Sequence, residues 1–219
     1  VTNEGNALMV TTLPRIHVLI IGYEKLIPTI KDAVTIMKVL PRSATAQLMT
    51  SYMTMIAGPT PAMVKKDGKW VEEEKEMHII LLDNGRLKAA RDDKFKEIYQ
   101  CVRCASCLNV CPVYTLIGGH VYGHIYAGGI GAILTAFLHG MGEFEKFHEL
   151  CIGCRRCTTV CPGKIDIPGL IEELRIRNVK EKGLPFVIRQ VFENVISNRK
   201  LFHSLLRLAS VGQKPFQSG

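Results

Sequence analysis

The chain has 219 residues, 47% of them apolar and 22% charged, with 19 Gly and 10 Pro. That composition suits one large or two small folded cores and excludes disorder and a collagen-like repeat. The formal charge of +8 is unevenly placed, because from Arg175 onward nine Lys/Arg stand against two Glu and the basic character belongs to the tail.

Residues 1–90 read as alternating strands and helices. The polar segment Thr2, Asn3, Glu4, Gly5, Asn6 opens them, either as a capping turn or as a cleft loop for a small hydroxylated or phosphorylated molecule. Residues 8–12 and 16–21 are short, β-branched-rich apolar runs separated by Leu13, Pro14 and Arg15. The second has the unbroken hydrophobicity of a strand covered on both faces. Ile30, Ala33, Val34, Met37 and Leu40 follow the spacing of an amphipathic helix, with Pro28 near its start and Pro41 as its stop. Further strands are expected over 51–57 and 77–82, the latter closed by Asp83, Asn84 and Gly85. The Pro-, Lys- and Glu-rich stretch 58–76 reads as a solvated excursion.

After Arg91 the pattern turns to helix and loop with an internal repeat. Cys101, Cys104, Cys107 and Cys111 followed by Pro112 recur 50 residues later as Cys151, Cys154, Cys157 and Cys161 followed by Pro162. Two groups of four within 61 residues, and no cysteine elsewhere, is a ligation pattern rather than a disulfide framework. A reducing compartment follows. Three thiolates at i, i+3 and i+6 can wrap one corner of a cubane, and in the C-x2-C-x2-C-x3-C-P arrangement the last cysteine serves the other cluster. Two [4Fe-4S] clusters are expected, paired crosswise: Cys101, Cys104, Cys107 with Cys161, and Cys151, Cys154, Cys157 with Cys111. The prolines are expected to steer the chain away from each cluster. Tetrahedral zinc is the competing use of four thiolates, but zinc modules usually pair two C-x2-C knuckles.

The 39 residues between Cys111 and Cys151 exceed what a compact β-hairpin ferredoxin uses. The run after Cys161 leads directly into a helix. This resembles the α-helical ferredoxin module of fumarate reductase, glycerol-3-phosphate dehydrogenase and heterodisulfide reductase subunits. The segments TLPRIHVL (12–19), GYEKLIPT (22–29), LPRSATAQ (40–47), LDNGR (82–86), the motif from Cys101 to Cys111 with PVY (112–114), and GGHVYG (118–123) are together similar to the lactate utilization protein B family. That family couples a LUD domain, related to sugar-phosphate isomerase and CoA-transferase-like α/β folds, to an α-helical ferredoxin.

The resemblance implies an α+β chain: the C-terminal part of a LUD-like α/β domain (1–90), an α-helical ferredoxin domain (91–180) and a basic amphipathic helical tail (181–219). It also implies a non-catalytic iron–sulfur subunit that relays electrons in an L-lactate-oxidising complex. Partners would be a cysteine-rich-domain protein and a second LUD protein, and the location cytoplasmic, at most peripheral at the inner membrane face. Family members extend beyond both ends of this chain, and position 1 is Val ahead of an apolar run, so a fragment or split form is expected. The same relay in a heterodisulfide-reductase-like or quinone-linked complex is the alternative.

Other signals are weaker. His120, Tyr122, His124 and Tyr126 alternate within a glycine-rich linker and could hold a metal, touch a quinone or simply pack around the clusters. Residues 113–141 are nearly uncharged, yet glycines and histidines interrupt them and no membrane span of about 20 apolar residues is expected. Three helices should follow Cys161: one begun by Leu170, Ile171 and Leu174 after Pro168, one with Phe186, Val187, Gln190, Val191 and Val195 on one face, and one with Leu201, Phe202, Leu205, Leu206 and Ala209. Arg189, Lys200 and Arg207 lie opposite the apolar faces. A zinc or iron–sulfur nucleic-acid-binding protein is the remaining and weakest alternative, since no aromatic platforms interleave with the Lys and Arg residues.

Overall fold

The computed structural model describes residues 5–122, 124–140 and 148–213, and they form two compact units that divide after Arg175. The chain mixes helix and strand, as its sequence pattern predicts. It opens with helix α1 (Gly5–Thr12), where a strand over 8–12 was expected. Ala7, Leu8 and Met9 favour a helix, and the hydroxyls of Thr11 and Thr12 each donate to the Leu8 carbonyl at 2.8 Å. Helical back-bonding of this kind satisfies β-branched threonines without a partner strand.

Strand β1 (Ile16–Gly22) follows, then a 3-10 turn (Tyr23–Lys25) and helix α2 (Ile30–Thr45). Thr29 caps α2, its hydroxyl accepting from the Asp32 N–H at 3.1 Å. Pro41 lies inside α2 and does not end it. Proline removes a single N–H from the ladder. The stop comes instead at Ala46, which adopts a left-handed φ of +58° and donates its N–H to the Arg42 carbonyl.

The stretch 58–76 contains an antiparallel hairpin, β2 (Ala62–Lys66) and β3 (Lys69–Glu73). Its two-residue loop, Asp67 (φ +49°) and Gly68 (φ +81°), has the double positive φ of the tight hairpin turn that Asp-Gly favours. The hairpin is largely exposed, so the solvated character holds while the missing strands are a correction. Strand β4 (Glu76–Leu82) pairs in parallel with β1, from Ile16 opposite Glu76 to Gly22 opposite Leu82. Residues 51–57 make only an isolated bridge at Met53, with Met55 85% exposed, rather than the expected strand. On β1, His17 is buried while Val18 and Ile20 are exposed. The expected cover on both faces is therefore absent among the described elements.

Beyond β4 come α3 (Arg86–Ala90), a 3-10 turn (Lys96–Gln100), α4 (Ser106–Asn109), α5 (Pro112–Ile117), a 3-10 turn (His120–Tyr122) and α6 (Gly128–His139). Then follow α7 (Arg156–Val160) and α8 (Ile167–Lys182). The core of the first unit lies here. Ile130, Ile133 and Leu134 of α6 pack with Phe95, Ile98, Ile165 and, on α8, Ile171 and Leu174. A helix apolar on all sides belongs inside, and α6 occupies much of what the sequence suggested was a linker. Phe95 and Phe137 meet edge-to-face at 5.0 Å between ring centroids.

The second unit starts at Ile176 and continues through α9 (Phe186–Gln190), a π-helical turn (Val191–Ile196) and α10 (Arg199–Gln213). Arg189 pairs with Glu193 at 2.8 Å along the helix. Phe186 and Val187 are exposed. Among the described residues, no helix is long and apolar enough to cross a membrane.

Candidate iron–sulfur site

Two loops built alike carry the cysteines. From Cys101 the chain passes through Arg103 (φ +59°) and Ala105 (φ +62°) into α4, which bears Cys107. From Cys151 it passes through Gly153 (φ +69°) and Arg155 (φ +62°) into α7, which bears Cys157. Left-handed residues at the same two offsets turn successive sulfurs and amides toward one side, the concave backbone arrangement that receives anions. Each non-glycine residue held so costs about 1–2 kcal/mol, a strain that surrounding structure must hold in place. Amides meet sulfur at matching places: the Arg103 N–H donates to Cys101, and the Gly153 N–H to Cys151 at 3.4 Å.

The trailing cysteines stand at helix ends. Cys111 caps α5, and its Sγ accepts from the Tyr114 N–H at 3.4 Å, with Pro112 as the first helical residue. Pro112 thus opens a helix, where its lost N–H is not needed. Cys161 closes α7, and its carbonyl accepts from the Lys164 N–H at 3.1 Å.

Cys101, Cys104, Cys107 and Cys161 line one cavity of about 280 Å³. Cys111, Cys151, Cys154 and Cys157 line a second of about 40 Å³, which Cys107 also reaches. Among the described residues, no three His, Cys, Asp or Glu side chains gather around a point that could hold one metal ion. The sulfurs ring cavities instead. Ile130, Ile165 and Ile167 wall the first and Ile171 the second.

Burial, and then the neighbouring Cys101 and Cys157 sulfurs, push the Cys107 thiol up to about 12, although an amide from Ile130 of α6 opposes the shift. Burial pushes Cys157 up to about 11, and Cys101 is raised for the same reason. Thiols so placed become thiolates when a metal holds them. A four-iron cluster, with its apolar surround and amide-to-sulfur hydrogen bonds, fits this donor set.

A buried orphan also points to an anionic occupant. Arg103 lines the first cavity, and its Nη1 is buried with no hydrogen-bond partner among the described groups. Its Nη2 lies 3.8 Å from Glu24, whose carboxylate also meets Arg86 Nε at 2.5 Å. Lys25 shares the cavity wall, and burial followed by the charge of Arg103 holds its ammonium below the usual lysine range.

The tyrosines of the alternating stretch divide between the cavities. Tyr126 lies under the Arg103 guanidinium at 4.7 Å, and Tyr122 is 3% exposed in the wall of the second cavity. His120 is exposed, His124 stacks near His139 at 4.5 Å between ring centroids, and both His120 and His124 line one open cavity with Tyr114. Sequence reasoning missed Glu24, Lys25 and Arg86, which lie at strand ends far from the motif. It also passed over Arg175, whose guanidinium donates to the carbonyls of His148 and Cys151. Only the tertiary fold brings these residues to the cysteines.

Comparison with known proteins finds two family matches along the chain. The LUD domain matches residues 1–82, and the 4Fe-4S dicluster domain matches residues 97–165. The chain is 40% identical over its full length to lactate utilization protein B of Macrococcus caseolyticus, covering 45% of that protein. It is 38% identical to lactate utilization protein B 1 of Bacillus mycoides, covering 44% of it. With the counterpart from Geobacillus thermodenitrificans it shares 40% identity over 84% of this chain and 37% of the relative. The chain therefore spans about half the length, or less, of the curated relatives it matches. No solved structure matches it. The chain carries a LUD domain followed by an iron–sulfur domain of the 4Fe-4S dicluster family, and along its whole length it is similar to lactate utilization protein B.

Proposed function

We propose that this chain is the iron–sulfur electron-transfer part of an L-lactate-oxidising assembly and that it holds two [4Fe-4S] clusters. The observation that carries the reading is the sorting of the eight cysteines around two cavities, with each trailing cysteine beside the opposite triad. Cys101, Cys104, Cys107 and Cys161 would hold the first cluster, and Cys151, Cys154, Cys157 and Cys111 the second. When bound, the clusters supply one-electron carriers between a substrate-oxidising centre and an acceptor.

The chain's own groups supply the setting. Isoleucines of the loop after Cys161 and of α6 keep water from the sulfurs, amides donate to thiolates, and Arg103 and Lys25 offset negative charge. We assign this chain no acid–base step. Residues 1–90 would be the LUD-like part, 91–180 the ferredoxin part and 181–219 a basic helical tail. A cysteine-rich-domain subunit and a second LUD protein would complete the assembly on the cytoplasmic side of the membrane. Lactate as the substrate rests on the full-length similarity to proteins named for lactate utilization.

Anaerobic reconstitution tests the cofactor. The protein should be brown and hold about eight iron and eight sulfide per chain, as two four-iron clusters require. Stoichiometric zinc without broad visible absorption would overturn the proposal.

A further inference from the structure

We infer that the α/β half sets the redox potential of the first cluster, through Lys25 and through Arg103 as positioned by Glu24. This inference rests on the cluster assignment proposed above. β1 ends at Gly22 and the chain turns at once into Tyr23, Glu24 and Lys25, so a strand end delivers one anion and one cation to the cysteine loop. Glu24 is 7% exposed and stands between Arg86, itself 10% exposed, and Arg103, 20% exposed.

The position of the Glu24 carboxylate is tightly determined. A Cβ on Gly22 would fall 2.1 Å from Glu24 Oε2 and 2.5 Å from Arg86 Nε, so the acid folds back over the strand end in space that only glycine leaves free. Arg86 is fixed in turn, because its backbone carbonyl accepts from the Tyr99 hydroxyl and its Nη1 donates to the Asp83 carbonyl at 3.1 Å. Arg103 is held on three sides: by its left-handed backbone between Cys101 and Cys104, by the Tyr126 ring at 4.7 Å, and by Glu24. The Nη1 that remains has no partner among the described groups, and it belongs to a side chain lining the first cavity.

Charge then decides the sign. Three cations, Lys25, Arg86 and Arg103, stand against the Glu24 carboxylate, which leaves two net positive charges beside the cavity: Arg103 is shielded there, and Lys25 reaches the cavity wall from an exposed position. An added electron makes a cluster more negative, so unscreened cations stabilise the reduced form and raise the potential. Among the described residues, the cation lining the second cavity is Arg155, which is 63% exposed, pairs with Asp166 at 3.5 Å and is screened by solvent, while Arg175 behind it is committed to main-chain carbonyls, that of Cys151 included.

The test is an anaerobic redox titration of the reconstituted full chain, followed by paramagnetic resonance, with the first-cluster signal identified by its change in Cys104→Ser. In Lys25→Gln and Arg103→Gln the first-cluster potential should move negative, and in Glu24→Gln positive. The second-cluster potential should stay in place, with iron content unchanged throughout. Lys25→Arg and Arg103→Lys, which keep the charge, should restore most of the shift. Opposite signs from neighbouring residues are what charge predicts and what general loosening of the loop would not give. If Arg103→Gln loses iron, Lys25→Gln and Glu24→Gln decide the question, since neither residue lies in the cysteine loop. A first-cluster potential that ignores all three charge changes, or two clusters that move together, would overturn the inference. Failure of the unmodified chain to bind two clusters would instead reject the assignment beneath it.

Discussion

Arg175 Nη2 donates to the carbonyl of Cys151 at 2.6 Å, and Nε of the same guanidinium donates to the carbonyl of His148 at 3.1 Å. One side chain of α8 thereby ties down the backbone that leads into the second cysteine motif. Arg175→Ala should leave those carbonyls without their charged donor and cost roughly 2–3 kcal/mol. Denaturant unfolding of the reconstituted chain would show this, together with faster loss of visible absorption under a chelator. Arg175→Lys should recover only part of the loss, because an ammonium lacks the planar fork that reaches several carbonyls at once. Unchanged unfolding and cluster loss in Arg175→Ala would show that the loop holds itself.

Cys111 separates the crosswise arrangement from a local one. Its Sγ belongs to the wall of the second cavity, although in sequence it follows the first triad. In Cys111→Ser the cluster assigned to Cys151, Cys154 and Cys157 should be lost or converted to a three-iron form, while the other keeps its resonance signal. Cys161→Ser should do the reverse. Loss of the cluster nearer in sequence would show that each motif closes on itself.

Gly85 tests how closely the end of β4 must approach α6. Its φ is +82°, and a Cβ there would lie 2.2 Å from the Phe137 carbonyl oxygen. Gly68 in the hairpin has nearly the same φ of +81° with nothing within 4 Å. Gly68→Ala should therefore cost about 1 kcal/mol from backbone strain alone. Gly85→Ala should cost about 1–3 kcal/mol more, because the clash is with main chain that cannot swing aside. Thermal or denaturant melts of the pair would measure the difference, and equal losses would remove the close approach as a constraint.

The parts of this chain that were readable in advance are those whose information is local. The cysteine spacing is set by how a short loop wraps sulfur, so it stands in the sequence directly, and β1 and β4 announced themselves as β-branched runs. Residues 8–12 were misread because a short apolar run has no period that separates strand from helix. The Asp67-Gly68 hairpin was present to be read from its turn pair, but the surrounding Lys and Glu residues masked it. Helix α6 hid behind Gly128, Gly129 and Gly131, each a poor helix former. Burial of Ile130, Ile133 and Leu134 in the core outweighs that penalty. At Gly131 a Cβ would fall 2.4 Å from the Tyr126 carbonyl oxygen, so the glycine answers to packing rather than to flexibility. The Glu24–Arg86 pair joins residues 62 positions apart, a contact that exists only once β1 and β4 lie side by side.

Substrate is the most exposed expectation, since it rests on similarity to lactate utilization protein B rather than on geometry. The cavities here are walled by cysteine, isoleucine and a few cations, groups that suit one-electron carriers and do not by themselves abstract a proton or hydride from a hydroxy acid. If the chain serves lactate oxidation, its cluster absorption should bleach on adding L-lactate without oxygen only when the complete assembly is present. The isolated, reconstituted chain should remain oxidised under the same conditions yet bleach with dithionite, which shows that its clusters are competent. Exposed apolar residues on β1 and on the Phe186–Gln190 helix are surfaces that such an assembly could cover. Bleaching by a different donor, with spectra unmoved by saturating L-lactate in the full assembly, would reject lactate as substrate while leaving the paired iron–sulfur site intact.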